Sequence, residues 1–350
     1  MKTAIVLDWD GVVFDDDAYK AGLFKNIGSL GISETDITQA YELSKDLNGY
    51  NDRKLAQYLA DKTTSLTFDE VLTSIDLVMS ETKARFIYSD IITFLDNAQT
   101  QGIDLYILTA GDARIQTAKY TNSGLAKYFT DIIIVSADTT ALGKEKRLSE
   151  LLNHYESIYF YDDKPATILH LHEIFRDTVS LVPILVDRYE QYRSPSSNGF
   201  CVTVLKLDDI AKFSSFYKKP RTLVSANRIQ KDDSVLLVYE NAGRASGTLS
   251  LPMGHVDSGQ LFLEAAEREA EEESGYETQV LRFRRLIAVD GANYLGSDYD
   301  LNRTVIVVAF DSTITSHTRH KKFEFKSEWI KLSTINTRKL RGDWHESLIP

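Results

Sequence analysis

Three short, mostly apolar runs, each stopped by a carboxylate or hydroxyl residue, constrain this chain more than any other feature. Ala4-Ile5-Val6-Leu7 stops at Asp8, Ile103-Asp104-Leu105-Tyr106-Ile107-Leu108 stops at Thr109, and Ile158-Tyr159-Phe160-Tyr161 stops at Asp162-Asp163. Such runs read as strands buried on both faces. Ile132 to Val135, Val182 to Val186 and Val202 to Leu205 add three more. Helical stretches lie between them. The longest is roughly Ala18 to Ile87, with apolar pairs and triplets such as Leu55, Leu59 and Val71, Ile75, Val78; Ile91 to Ala98 and Arg147 to Leu152 are shorter. Strands alternating with helices predict an α/β fold with a parallel, Rossmann-like sheet. The ligand crevice of such a sheet lies outside the carboxyl ends of its strands. The residues that stop the runs are therefore placed to face it.

The second part of the chain has another character. Val235 to Tyr239 is a strand, Gly243 to Gly259 a Gly- and Ser-rich loop, and Leu261 to Ser274 an acid-rich helix. Thr304 to Phe310 and Glu328-Trp329-Ile330 are further strands, so this part reads as a mixed-sheet α/β or α+β unit. Arg193 to Gly199 looks like a linker, yet the strand-like Phe200 to Leu205 and the short helix Asp208 to Phe213 can complete the first part. The boundary is placed at Lys218-Lys219-Pro220, where proline interrupts any regular element, giving domains 1–216 and 217–350. Charge divides at the same place. Residues 1–216 hold 21 basic and 32 acidic side chains, residues 217–350 hold 19 of each, and the whole net charge of −11 belongs to the first part.

Composition excludes several classes. With 43% hydrophobic and 26% charged residues the chain is globular, not disordered. No run approaches the 18 or so apolar residues of a membrane span, and the N-terminus turns acidic at Asp8, too soon for a signal peptide. The single cysteine, Cys201, cannot form an internal disulfide and suits a reducing compartment. The acidic balance argues against nucleic acid as a partner. A cytoplasmic protein acting on small molecules is expected, with its oligomeric state not legible.

Asp8-Trp9-Asp10-Gly11-Val12 leaves the first strand with two carboxylates two residues apart. One can attack phosphorus while the other transfers protons. Thr109 ends a second strand, and Ala110-Gly111 offers backbone N–H groups to a phosphate. Asp162-Asp163 ends a third, and four carboxylates in one crevice require a cation, with oxygen-only ligands predicting Mg²⁺. Lys144, or Lys146 two residues on, supplies the positive charge such a site needs. In these four motifs the chain resembles the haloacid dehalogenase-like phosphohydrolases over residues 1 to about 216. The resemblance implies that Asp8 forms an aspartyl-phosphate, that Asp10 protonates the leaving group and then activates water, and that Thr109 holds the phosphoryl group. It further implies that Lys144 neutralises charge and that Asp8, Asp10, Asp162 and Asp163 hold Mg²⁺. The mainly helical insertion at about 16–88 resembles the family's cap, which favours a small phosphomonoester. Trp9 carries no assignable role.

The second constellation runs from Leu251-Pro252-Met253-Gly254 through Gln260 to Arg268-Glu269-Ala270-Glu271-Glu272-Glu273-Ser274-Gly275-Tyr276. Glu269, Glu272 and Glu273 share one helical face, while Glu267–Glu271 and Glu269–Glu273 are like-charge pairs that no lysine in the helix offsets. A face of this kind suits divalent cations, which bridge diphosphate oxygens and acidify a water. The spacing resembles the Nudix box, and the resemblance, taken over residues 217–350, implies a Nudix α/β/α sandwich with a mixed sheet. It implies Glu269, Glu272 and Glu273 as ligands of Mg²⁺ or Mn²⁺, with Glu272 and Glu273 in catalysis and Arg268 orienting the glutamates. Two positions depart from the pattern: Gln260 replaces the first glutamate and Met253 the first glycine of a pair. Gln260 predicts weakened or retuned activity. Asp298, Asp300, Glu324 and Glu328 are further acidic candidates, and Arg244 in the Gly-rich loop is a candidate substrate contact. Basic clusters at Lys218-Lys219-Arg221, Arg282-Arg284-Arg285 and Arg319-His320-Lys321-Lys322 read mainly as solvated surface, while His255, His317, His320 and Cys201 lack zinc spacing.

Together the two constellations predict a bifunctional, Mg²⁺-dependent hydrolase. It would cleave a phosphomonoester in the first domain and a nucleoside diphosphate linked to another group in the second, on consecutive small nucleotide substrates. The alternatives are a single phosphatase governed by a nucleotide-sensing Nudix domain, supported by Gln260, and an RNA-end processing enzyme, permitted by the basic clusters.

Overall fold

The computed structural model describes residues 2–349 except 48, 64, 82–84, 138–139, 176–179, 190–201, 205–206, 208–220, 242, 258–259, 297–299 and 318–324. They form two compact units, 2–163 and 164–350. The boundary expected at 216/217 and the linker at 193–199 lie outside the described residues.

The first unit is built on a parallel sheet. Strands β1 (Thr3–Leu7), β2 (Asp104–Ala110), β3 (Asp131–Val135) and β4 (Ser157–Asp162) stand in the order β3-β2-β1-β4. Every residue of β1 and β4 is buried, as continuous apolar runs between helical layers require. Leu7 lies level with Ile107 on one side and Tyr161 on the other, and the Asp8 N–H donates to the Tyr161 carbonyl at 2.8 Å. This register puts the ends of β1, β2 and β4 at one edge of the sheet.

Among the described residues, the single helical stretch expected over 18–87 is broken into separate helices, α1 (Asp16–Gly28), α2 (Glu34–Leu43), α3 (Asp52–Lys62) and α4 (Phe68–Ser80). Apolar periodicity runs through them, but their starts are set by local caps. Asp15, Ser33, Asn51 and Thr67 each accept a backbone N–H with a side-chain oxygen, and Thr67 with Glu70 closes a capping box. Leu55, Leu59, Val71, Ile75 and Val78 are buried, as their spacing predicts. The insertion leaves and rejoins the sheet side by side, because Asp15 N–H donates to the Phe86 carbonyl at 2.8 Å and Tyr88 N–H to the Val13 carbonyl at 3.3 Å. Helices α5 (Ile91–Thr100), α6 (Ala113–Ser123) and α7 (Thr140–Leu152) complete the unit. The helix expected from Arg147 begins at Thr140, so Lys144 lies inside it. Lys144 and Leu148, one turn apart, are the buried face of α7.

In the second unit, α8 (Pro165–Phe175) precedes a parallel pair, β5 (Leu181–Val186) and β6 (Val202–Val204). A mixed sheet follows. Its path is β11 (Tyr276–Asp290), β12 (Thr304–His317), β7 (Arg221–Lys231), β8 (Ser234–Tyr239) and β13 (Ser327–Lys331), with β9 (Leu249–Ser250) on β8 and β10 (Met253–His255) on β7. The loop expected over 243–259 thus contains two short strands. Helix α9 (Phe262–Ser274) ends at Gly275, whose φ of +76° closes it in the left-handed region. It is seated on the sheet by Ser225 Oγ donating to the Phe262 carbonyl at 2.6 Å and Asn227 Nδ2 to the Ala266 carbonyl at 3.1 Å. Among the described residues no helix is long and apolar enough to cross a membrane.

His345 is buried in this unit and accepts the Leu251 N–H through Nε2 at 2.7 Å. Burial, with Arg341 adding to it, pulls its pKa from 6.5 down to about 3. The folded form therefore refuses a proton that the unfolded chain takes up. The stability this contributes is present above the unfolded pKa and is lost as pH falls toward the folded one, by about 1.4 kcal/mol per pH unit. His345→Gln keeps the acceptor but cannot be protonated. Denaturant unfolding between pH 6 and 4 is expected to show a slope flatter by about one proton than wild type; equal slopes would refute the assignment.

Candidate functional site

The edge of the first sheet gathers an acidic centre. Asp8 is buried, with Oδ1 accepting the Trp9 N–H at 2.8 Å and Oδ2 lying 2.9 Å from Lys144 Nζ. Lys144 Nζ also donates to Asp162 Oδ2 at 2.6 Å, and its side chain is wholly buried. Burial pulls the Lys144 ammonium down, but Asp162 and Asp8 outweigh this and raise it. Carboxylate oxygens of Asp8, Asp162 and Asp163 lie within 4.8 Å of one another, the one such set among the described residues. Three carboxylates and one ammonium leave two negative charges in a small volume of oxygen donors, which fits a hard divalent cation. Gly11, at φ +76°, allows the nucleophile loop to approach this centre, since a Cβ there would stand 2.4 Å from Asp163 Oδ2. Lys146 is exposed, so the lysine at the centre is Lys144.

Three expectations need correction here. The Asp10 carboxylate is not part of the three-carboxylate set. Val13 N–H donates to the Trp9 carbonyl and Gly11 N–H to the Phe14 carbonyl, closing a turn that presents Asp10 to α6. There Lys119 Nζ and Gln116 Nε2 each donate to it at 2.8 Å. Burial pushes the Asp10 carboxyl up and Lys119 opposes the rise. The Gly111 N–H is not available to a phosphate, because it continues the β2–β3 ladder by donating to the Val135 carbonyl at 3.1 Å. The Ala110 carbonyl accepts from Gln116 at 3.2 Å, and Thr109 is buried at the end of β2. Arg244 in the second unit is occupied by the carbonyls of Gly291, Ala292 and Gly296 at 3.0 to 3.2 Å, so it braces that loop.

The second centre lies on α9. Glu273 is buried and accepts the Met253 N–H through Oε2 at 3.0 Å. Burial lifts its carboxyl well above the ordinary range; the Met253 N–H opposes this, and Glu269 and Glu240 add to it. Glu269 lies against Gly254, where a Cβ would meet Oε1 at 2.1 Å, so a larger residue there would displace the Glu269 carboxylate. Glu269 and the more exposed Glu272 both turn to Arg268 Nη1, at 2.6 and 3.0 Å. This guanidinium supplies the offsetting charge that the helix lacks in lysine. Glu273 is held apart from Glu269 and Glu272 by the Met253 N–H, and among the described residues the three predicted ligands do not converge as Asp8, Asp162 and Asp163 do. Arg268 Nη2 donates to the His255 carbonyl at 2.8 Å and to Gln260 Oε1 at 3.2 Å. Gln260 thus braces the arginine without a charge. Glu267 accepts the Val280 N–H at 2.8 Å and is structural.

Four residues of these surroundings escaped the sequence reading. Lys119 and Gln116 share the buried face of α6 with Ile115 and Ser123, and polar residues on a buried helical face were the available signal. Glu240 and Arg341 form a largely buried pair at 2.7 Å, with Ser250 Oγ on the same Glu240 oxygen. They are 101 residues apart and carry no local signal. Of the other candidates, Asp300 is buried on Thr222 Oγ1 at 2.9 Å, and Glu328 accepts from Tyr239 and Arg338. Arg282 and Arg284 bind Asp311, and Arg285 donates to the Ser347 carbonyl. Asp298, Glu324, Lys218, Lys219, Arg319 to Lys322 and Cys201 lie outside the described residues.

A haloacid dehalogenase-like hydrolase family model matches residues 2–168, and a NUDIX domain model matches residues 219–350. Among solved structures, a putative haloacid dehalogenase-like hydrolase from Burkholderia xenovorans is 17% identical, with a TM-score of 0.48, 62% of this chain and 98% of that chain covered. L-2-haloacid dehalogenase from Xanthobacter autotrophicus is 16% identical, with a TM-score of 0.44, 61% and 99% covered. A NUDIX hydrolase from Nitrosomonas europaea is 20% identical, with a TM-score of 0.32, 37% and 85% covered. No curated protein matches the chain.

Proposed function

We propose that the chain joins a haloacid dehalogenase-like hydrolase domain to a NUDIX domain and is a bifunctional hydrolase of small nucleotide-derived substrates. Both families are hydrolases of phosphoester and diphosphate bonds that generally use divalent metal ions. The domain boundary is proposed near residue 217, just ahead of the second family match at 219.

The observation that carries the phosphatase reading is the assembly of buried Asp8, Asp162 and Lys144 with half-buried Asp163 at one sheet edge. On this reading an Asp8 oxygen attacks phosphorus, and the ester oxygen leaves with a proton from Asp10. Water then releases phosphate from Asp8 as Asp10 takes a proton back. Mg²⁺ held by Asp8, Asp162 and Asp163 would neutralise phosphoryl charge. Lys144 holds Asp8 and Asp162 in place, and the Thr109 hydroxyl near the end of β2 would hold the phosphoryl oxygens. In the NUDIX domain, Glu269, Glu272 and Glu273 would hold the cation, with Arg268 yielding Glu269 and Glu272 when it binds. Splitting a diphosphate yields monoesters, so the two chemistries are consecutive.

A panel of nucleoside monophosphates, sugar phosphates and diphosphate-linked nucleotides tests this. Wild type with Mg²⁺ is expected to release phosphate from a monoester and a nucleotide from a diphosphate, and EDTA to stop both. Glu273→Gln should slow diphosphate cleavage about 100-fold, at least what loss of a metal's supporting group costs, and leave monoester hydrolysis intact. Equal loss of both activities would refute separate sites. Gln260 and the dispersed glutamates favour one second reading, a nucleotide-sensing NUDIX domain. Failure of wild type to cleave any diphosphate would decide for it.

A further inference from the structure

Lys119 has no part in the chemistry above, yet it grips the proton-transfer carboxylate. Its side chain is 5% exposed, and Nζ lies 2.8 Å from Asp10 Oδ1 and 3.0 Å from Asp16 Oδ1. The rings of Phe14 and Tyr19 flank it at 4.6 and 5.3 Å, faces that attract a cation. Gln116 Nε2 donates to the other Asp10 oxygen at 2.8 Å and to the Ala110 carbonyl at 3.2 Å. Those two acceptors fix the amide orientation. They leave Gln116 Oε1 buried beside Asp10 with no hydrogen-bond partner. An open buried acceptor at this point can hold a leaving-group hydroxyl or an attacking water. Asp16 begins α1, at the root of the helical insertion, where the outgoing and returning chains are hydrogen-bonded.

We propose that Lys119 is a positioning residue for Asp10: with Gln116 it aims the carboxyl at the leaving and attacking oxygens, and through Asp16 it ties that aim to the root of the insertion. The proposal rests on the phosphatase reading above. In the first step an Asp8 oxygen bonds to phosphorus and the ester P–O bond breaks. Its electron pair stays on the leaving oxygen, which takes the Asp10 proton. In the second a water oxygen bonds to phosphorus, its proton passes to Asp10, and the P–O bond to Asp8 breaks to free phosphate. A p-nitrophenolate leaving group needs no proton, whereas an alkoxide does. Misplacing Asp10 should therefore spare only the first step of the aryl substrate.

The test is rapid-mixing kinetics of the full chain with Mg²⁺, using p-nitrophenyl phosphate and the fastest alkyl monoester of the panel. Lys119→Met is expected to lose about 100-fold in alkyl-phosphate turnover, within the range of general acid–base catalysis. It should still give a burst of p-nitrophenolate followed by slow turnover. Lys119→Arg, able to pair with both carboxylates, should recover part of the alkyl activity. Equal loss on both substrates without a burst, or no loss, overturns the proposal. A wild type inactive on every monoester overturns the phosphatase reading instead. If Lys119→Met does not fold, Asp16→Asn decides: its site is 46% exposed, and alkyl turnover should fall about threefold, as for a partly exposed ion pair, with the aryl burst unchanged. Unchanged alkyl turnover there overturns the proposal.

Discussion

Asp8→Asn is expected to release phosphate from monoesters at least about 10⁴-fold more slowly than wild type, the scale at which removing a catalytic nucleophile is felt. The amide is isosteric, so the loss should come without unfolding. One Asp8 oxygen accepts the Trp9 N–H and the other faces Lys144. An amide can satisfy only one of these donors, because its nitrogen would point a hydrogen at the other. The cost to the fold is that of one strained buried contact, with Asp162 still paired to Lys144. Diphosphate cleavage should be unchanged, since Glu269, Glu272 and Glu273 belong to the other unit. Phosphate release that survives Asp8→Asn removes the aspartyl nucleophile from the mechanism.

The largest stability effect is expected at Lys144. Lys144→Met fills the same space with an apolar chain but leaves Asp8 and Asp162 buried without their shared ammonium. Breaking a buried ion pair from one side costs about 3–5 kcal/mol, because a charge is left uncompensated. Mg²⁺ should restore part of the deficit, by replacing the missing charge. Lys146→Met, at an exposed position, is the control and should unfold like wild type. A deficit below about 1 kcal/mol for Lys144→Met would mean that the buried pair is not what holds the two aspartates.

Much of this was legible in the chain. The runs ending at Leu7, Leu108 and Tyr161 gave strands whose ends must share an edge once the sheet is parallel, so Asp8, Thr109 and Asp162 were predictable neighbours. The spacing of Glu269, Glu272 and Glu273 is a property of the helix that carries them. Helix breaks inside residues 18–87 were written in Ser33, Asn51 and Thr67, but apolar periodicity continues across them and hides the breaks. The long strands β7 and β11 were missed because charged residues interrupt their alternation. Arg228 donates to Asp311 and Arg282 to the same side chain, so charge in these strands is held by partners distant in sequence.

The amino-acid sequence by itself determined which residues are chemically competent and at which strand or helix end they stand, since both follow from local periodicity. The tertiary structure alone decided what each competent group meets. The Asp10 carboxyl meets Lys119, 109 residues away, and lies outside the three-carboxylate set. The Gly111 N–H is spent on a neighbouring strand, and Arg244 on a loop near residue 291. Lys144 rather than Lys146 meets Asp8 and Asp162 because two residues along a helix rotate the side chain by about 200°, which points one inward and the other to solvent. Hydrogen-bond donors and charges are claimed by whatever lies nearest in space, and that proximity depends on the folded register rather than on separation along the chain.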